Sequence, residues 1–184
     1  MFLSDVDIRK GVVSGAITIK PFNEKQLQLA SYDVTLGNEF EIVDRHMLEA
    51  SDPAKGIFPK TRKITIGDGE GFVLHPGENV LGKQKEFIGV DLEHLILLSG
   101  KSSLARIGLV VHNTAMLFNP GHQFYPTFEL VNSSNIPIIL RPGMEIAQLI
   151  FGKLTSRAEK KYEDVGSFDS ENSNHFPKQT KHVR

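Results

Sequence analysis

Residues 127–154, TFELVNSSNIPIILRPGMEIAQLIFGKL, decide the fold class. Three short runs within it, TFELVN, IPIILRPG and IAQLIFGKL, are rich in β-branched and aromatic side chains and are punctuated by Asn, Pro and Gly. Runs of that length bounded by turn residues read as strands. Working outward, SYDVTLG, EFEIVD, RKITIG, GFVLHPG and HLILLSG repeat the pattern over residues 31–100. Closely spaced strands with turn chemistry between them predict a mainly β protein: a sandwich, a jelly roll or a distorted barrel. The beginning of the chain departs from this. There, SDVDIRKGVVSG predicts one short amphipathic helix, capped by Ser4 and ended by Gly11 or Gly15.

The chain of 184 residues suits one domain, placed at residues 1–160. Beyond it, residues 161–184 read as a polar tail, poor in aliphatic side chains. Among its aromatics, Tyr162 and Phe168 leave room for that tail to close over a ligand. A formal net charge of −1 supplies no global attraction to nucleic acid or to an anionic membrane. No apolar run approaches the ~18 residues of a membrane span. The opening MFLSDVDIRKG carries charges from residue 5 and lacks the apolar core of a signal peptide. A soluble cytoplasmic protein is the expectation.

There is no cysteine, which removes disulfides, thiol nucleophiles and thiolate metal sites together. The zinc deaminase signature, with its Cys-x-x-Cys pair, cannot be built. The seven histidines show no metal-ligand spacing. His75 reads as a turn residue and His112 as a structural one.

Chemistry concentrates in GKSSLARIGLVVHNTA, residues 100–115. Lys101, Ser102, Ser103 and Arg106 crowd the start of an otherwise apolar stretch. A short helix beginning at Ser102 brings Ser102, Ser103 and Arg106 within one turn, with Ser102 and Arg106 on one face. Hydroxyls, N–H groups and a guanidinium that converge in this way describe a phosphate site. The competing reading is a solvated face with capping serines. Farther on, Glu129 sits in an alternating strand whose outward face also carries the uncharged Thr127 and Val131. It is either an exposed strand residue or a half-desolvated carboxylate suited to moving protons.

SYDVTLGNEF, FVLHPGE, GKSSLARIGLVVHNTA, FELVN and LRPGMEIAQLIF together resemble the dCTP deaminase family, which shares the trimeric dUTPase fold. The resemblance runs from LSDVDI to about Tyr162, with the motifs in the family's order. It implies a distorted dUTPase-like β-barrel and a homotrimer with active sites between subunits. It implies a triphosphate site made of Lys101, Ser102, Ser103, Leu104, Ala105 and Arg106. Glu129 takes the place of the catalytic glutamate that activates water for attack on cytosine C4, with Ser102 holding that water. Asn113 to Ala115 are placed against the base, and Thr127 and Phe128 beside sugar and base. Gln148 and Tyr162 match nucleotide-contacting positions. The reaction it implies uses no zinc, and Mg²⁺ arrives as the nucleotide complex.

The stretch TAMLFNPGHQF departs from the family pattern of Thr-Ala-His-Arg-Ile-Asp-Pro-Gly-Trp-x-Gly. Met116, Leu117, Asn119, His122 and Phe124 stand where that pattern has His, Arg, Asp, Trp and Gly. Asn119 can hydrogen-bond a sugar 3′-hydroxyl but is no base near neutral pH. The leading expectation is therefore a deaminase that turns dCTP into dUTP and ammonia. The alternatives are a bifunctional deaminase–diphosphatase giving dUMP, favoured by the loss of Arg at Leu117, an altered base specificity, and a nucleotide binder with little turnover. In the tail, Ser167, Phe168 and Glu171 align loosely with the family's phosphate lid.

Overall fold

Phe128, Leu130 and Asn132 point inward from one strand, while Thr127, Glu129 and Val131 lie on its less buried face. That two-residue period is the pleat of a half-buried strand, and it recurs through much of the chain. The computed structural model describes residues 1–44 and 50–165. In chain order the strands are β1 (Ile17–Lys20), β2 (Tyr32–Val43), β3 (Thr61–Thr65), β4 (Phe72–Leu74), β5 (Asn79–Gln84), β6 (Phe87–Val90), β7 (His94–Gly100), β8 (Leu109–Val110), β9 (Leu117–Phe118), β10 (Gln123–Phe124), β11 (Thr127–Asn132), β12 (Ile138–Leu140) and β13 (Glu145–Lys153). The helices are α1 (Asp5–Ser14), α2 (Ser102–Ala105) and α3 (Tyr162–Val165). The mainly β expectation holds. The segment 166–184, including Phe168 and the lid counterparts Ser167 and Glu171, lies outside the described residues.

The largest sheet runs β8-β11-β5-β2-β13-β7-β9, with β3 pairing on β2 off that path. A three-stranded sheet has the order β1-β6-β10, and β12 pairs with β4. All these pairings are antiparallel. Tyr32, Phe40, Phe128 and Phe151 are the largest side chains withdrawn from water, with Ile8 of α1 packed among them. Each buried side chain of this size contributes about 1.5–3 kcal/mol by leaving water.

Two local expectations are corrected. Ser4 occupies the N-cap position of α1, but its hydroxyl donates to Asp7 at 3.2 Å and caps no backbone N–H. Of the two glycines expected to end the helix, Gly15 does so, with φ 82°, and the helix runs through Gly11. Gly11 is there for space, because a Cβ would sit 2.7 Å from Ile17 Cδ1. SYDVTLG and EFEIVD, which read as two strands, form the single strand β2, whose register against β5 shifts between Leu36 and Phe40. Among the described residues no helix is long and apolar enough to cross a membrane.

Candidate active site

Strand β11 carries Glu129 between the wholly buried Phe128 and Leu130, so alternation places its carboxylate on the opposite face. The backbone N–H of Glu129 donates to Val111 O at 3.1 Å. Its Oε2 accepts the N–H of Asn113 at 2.7 Å. The carboxylate is thus half-buried and anchored beside residues 113–115, the segment expected against the base. Ala115 and Asn113 are exposed there, as a ligand-contacting segment requires. Thr127 lies two residues back on the Glu129 face, whereas Phe128 presents only its backbone to that side.

The crowded motif forms α2, a single turn whose N-cap is Lys101 and whose Arg106 N–H closes back on Ser102 O at 3.1 Å. Leu104 is the one side chain of that turn packed against the core. Ser102, Ser103, Ala105 and Arg106 are exposed. α2 leads through Gly108 into β8, which pairs with β11 through Val110 and Val131. The Ser102–Arg106 turn and the Glu129 carboxylate are therefore carried by adjoining segments.

That junction is braced by groups the sequence reading missed. The N–H and hydroxyl of Ser133 both donate to Gly108 O, at 2.8 and 2.9 Å. Gly108 has φ 88°, and a Cβ would lie 2.7 Å from Ser134 N. Asn132, wholly buried, donates from Nδ2 to Leu74 O and Ile136 O and accepts at Oδ1 from Ser134 N and Oγ. Four bonds satisfy that amide completely, so the end of the carboxylate strand and the turn after α2 are held as one unit.

Lys101, the N-cap of α2, and Gln148 each stand next to Asp33, where β2, β13 and β7 lie side by side. Lys101 Nζ lies 2.5 Å from Asp33 Oδ2 and 3.1 Å from Glu145 Oε2. Burial alone would lower the Lys101 pKa, but hydrogen bonds and charge from the two carboxylates outweigh it and raise it above 10.5. Gln148 pairs across the ladder with Asp33 and Ser99, and its Oε1 accepts from Ser31 Oγ at 3.3 Å. Asp33 was legible as an anomaly, a charge inside the apolar run SYDVTLG, and a buried charge calls for a partner.

Tyr162 stands at a third place. His122 is stacked between Phe124 and Tyr162, with ring centroids 3.6 Å away on either side. Burial pushes the His122 pKa down to about 4, so the ring is neutral near pH 7. Asn119 is exposed in the same turn, its carbonyl accepting the His122 N–H at 3.2 Å. Among the described residues no group of three or more His, Asp or Glu side chains is placed to hold a metal ion.

Comparison with known proteins puts this arrangement in context. A family profile described as dCTP deaminase-like matches residues 2–154. A Beutenbergia cavernae protein described as "dCTP deaminase, dUMP-forming" is 43% identical over 162 residues, 88% of this chain and 84% of that protein. A Mycobacterium avium protein of the same description is 43% identical over 88% of this chain and 85% of its own length. Among solved structures, the 2′-deoxycytidine 5′-triphosphate deaminase from Agrobacterium tumefaciens superposes with a TM-score of 0.63 at 18% identity. That match covers 82% of this chain and 47% of the other, so this chain spans about half its length, and the likeness bears on the fold alone.

The dUMP-forming relatives overturn the leading expectation of a deaminase that stops at dUTP. That expectation weighed the amide of Asn119, which is no base, above the absence of Arg at Leu117. The relatives fall on the side that Leu117 indicated. With its profile match over residues 2–154 and this identity to full-length relatives, the chain belongs to the dCTP deaminase-like family of hydrolytic enzymes.

Proposed function

We propose that this chain converts dCTP to dUMP, combining deamination at cytosine C4 with hydrolysis of the triphosphate. The observation that carries the reading is the Glu129 carboxylate, fixed by the Asn113 N–H on a strand joined to the exposed Ser102–Arg106 turn. That constellation occurs in a chain 43% identical to dUMP-forming deaminases. In the first step Glu129 accepts a proton from water as its oxygen bonds to C4. The same proton then goes to the amino group, which leaves as ammonia as the C4–N bond breaks, while the proton left on the C4 hydroxyl passes to ring N3 to give uracil. Ser102 holds that water, and residues 113–115 bound the base. Ser103 and Arg106 meet the phosphates, the guanidinium supplying charge-assisted hydrogen bonds.

Thr127 and the Phe128 backbone lie beside the sugar, and Asn119 bonds its 3′-hydroxyl. The second step adds water across the α–β phosphoanhydride and releases pyrophosphate. Mg²⁺ enters with the nucleotide as part of the substrate. The enzyme works in the cytoplasm as a homotrimer with sites between subunits, a reading supported by the exposed Ile107, Met116 and Leu117 on and beyond the phosphate turn. The test is incubation with dCTP and Mg²⁺ followed by ion-exchange separation. dUMP with pyrophosphate and ammonia is the expected outcome. Accumulating dUTP, or no product, overturns the proposal.

A further inference from the structure

Lys101 stands at the hinge between β7 and α2, and every polar group it carries is engaged by its own chain. Its N–H donates to Ile146 O on β13 at 3.3 Å, and its carbonyl accepts the N–H groups of Leu104 and Ala105 at 3.0 Å each. Its ammonium bridges Asp33 on β2 and Glu145 on β13. The Asp33 side chain is only 4% exposed and also accepts from Gln28 Nε2 at 3.2 Å. A carboxylate withdrawn from water to that degree is costly without its cation. A phosphate that drew the ammonium away would strand Asp33. It would also approach two carboxylates facing one positive charge, an arrangement that repels an anion.

We infer that Lys101 is a positioning residue that pins the Ser102–Arg106 turn to the sheet through Asp33, and that it is not a ligand of the triphosphate. This rests on the dCTP reading above and deepens it: the substrate's charge is met by Arg106 and the two serine hydroxyls, while Lys101 fixes where they stand. Asp33 then acts on the substrate only through Lys101.

The experiment compares wild type, Lys101→Met, Asp33→Asn and the double variant, following dUMP release from dCTP and the melting temperature of each. A positioning pair predicts that Asp33→Asn raises KM for dCTP about tenfold, equivalent to about 1.4 kcal/mol. It predicts further that adding Asp33→Asn to Lys101→Met recovers part of the KM and of the melting temperature, because the stranded carboxylate is removed. A phosphate-binding Lys101 predicts the reverse. Asp33→Asn would then free the ammonium and leave KM unchanged or lower, and would rescue nothing in the double variant. Either of those results overturns the inference. If wild type releases no dUMP, the dCTP reading fails separately. The pair is then judged on melting temperature alone, where recovery in the double variant supports the pin and its absence overturns it.

Discussion

The backbone N–H of Asn113 donates to Glu129 Oε2 at 2.7 Å, while the Glu129 N–H donates back to Val111 O at 3.1 Å. These two bonds fix both ends of the glutamate against the segment that follows β8. Replacing Glu129 with Gln keeps an oxygen able to accept from Asn113 but removes the carboxylate proposed as the base. Ammonia release should fall by about 10²–10⁴-fold, with dCTP binding largely retained by calorimetry. Release near the wild-type rate would take Glu129 out of the chemistry.

Arg106 is the exposed cation of the α2 turn. Losing a charged hydrogen bond costs about 1.5–3 kcal/mol, so Arg106→Ala should weaken dCTP binding by roughly ten- to a hundredfold. Binding of dCMP, which lacks the outer phosphates, should change far less. Equal dCTP affinity for variant and wild type would remove Arg106 from phosphate recognition.

Gly108 combines φ 88° with a backbone neighbour 2.7 Å from where a Cβ would be. Gly108→Ala therefore forces a left-handed alanine against Ser134, at a cost of about 1–3 kcal/mol. The melting temperature should drop by several degrees, and kcat/KM for dCTP should fall with it because α2 is displaced. A variant as stable and active as wild type would show that the Ser133–Gly108 brace does not position the turn.

His122, with its pKa depressed to about 4 by burial, links folding to pH. The unfolded ring protonates near 6.5 and the folded ring resists protonation, so the contribution is complete above pH 6.5 and is lost as pH falls towards 4. Over that window the loss amounts to about 3 kcal/mol. His122→Phe keeps a flat ring between Phe124 and Tyr162 and removes the titration. Urea midpoints measured from pH 7 to pH 4 should fall less steeply for this variant. Parallel curves would assign the pH dependence to other groups.

Much of the scaffold was legible from neighbouring residues. The outward placement of Glu129 followed from the period-two alternation of TFELVN, and the turn at Ser102–Ala105 from hydroxyls opening a stretch after Gly100. Strands β1, β5, β6 and β8–β10 escaped notice, being short or interrupted by polar residues and glycine, so that pairing with distant strands defines them. The product expectation failed for a related reason. It judged Asn119 by the chemistry of one side chain, and relatives of similar sequence form dUMP.

The sequence by itself determined the β-rich class, the α1 segment, the single helical turn at Ser102–Ala105 and the less buried face on which Glu129 lies, because alternation, turn residues and local helix closure act over a few residues. Tertiary structure alone decided the partners of those groups. Lys101 and Asp33 are 68 residues apart, Asn132 and Leu74 are 58 apart, and Ser133 and Gly108 are 25 apart. Such contacts depend on register between strands that meet only once the core has closed. At that point a buried carboxylate takes the nearest cation and a buried amide the nearest carbonyls, whatever their separation along the chain.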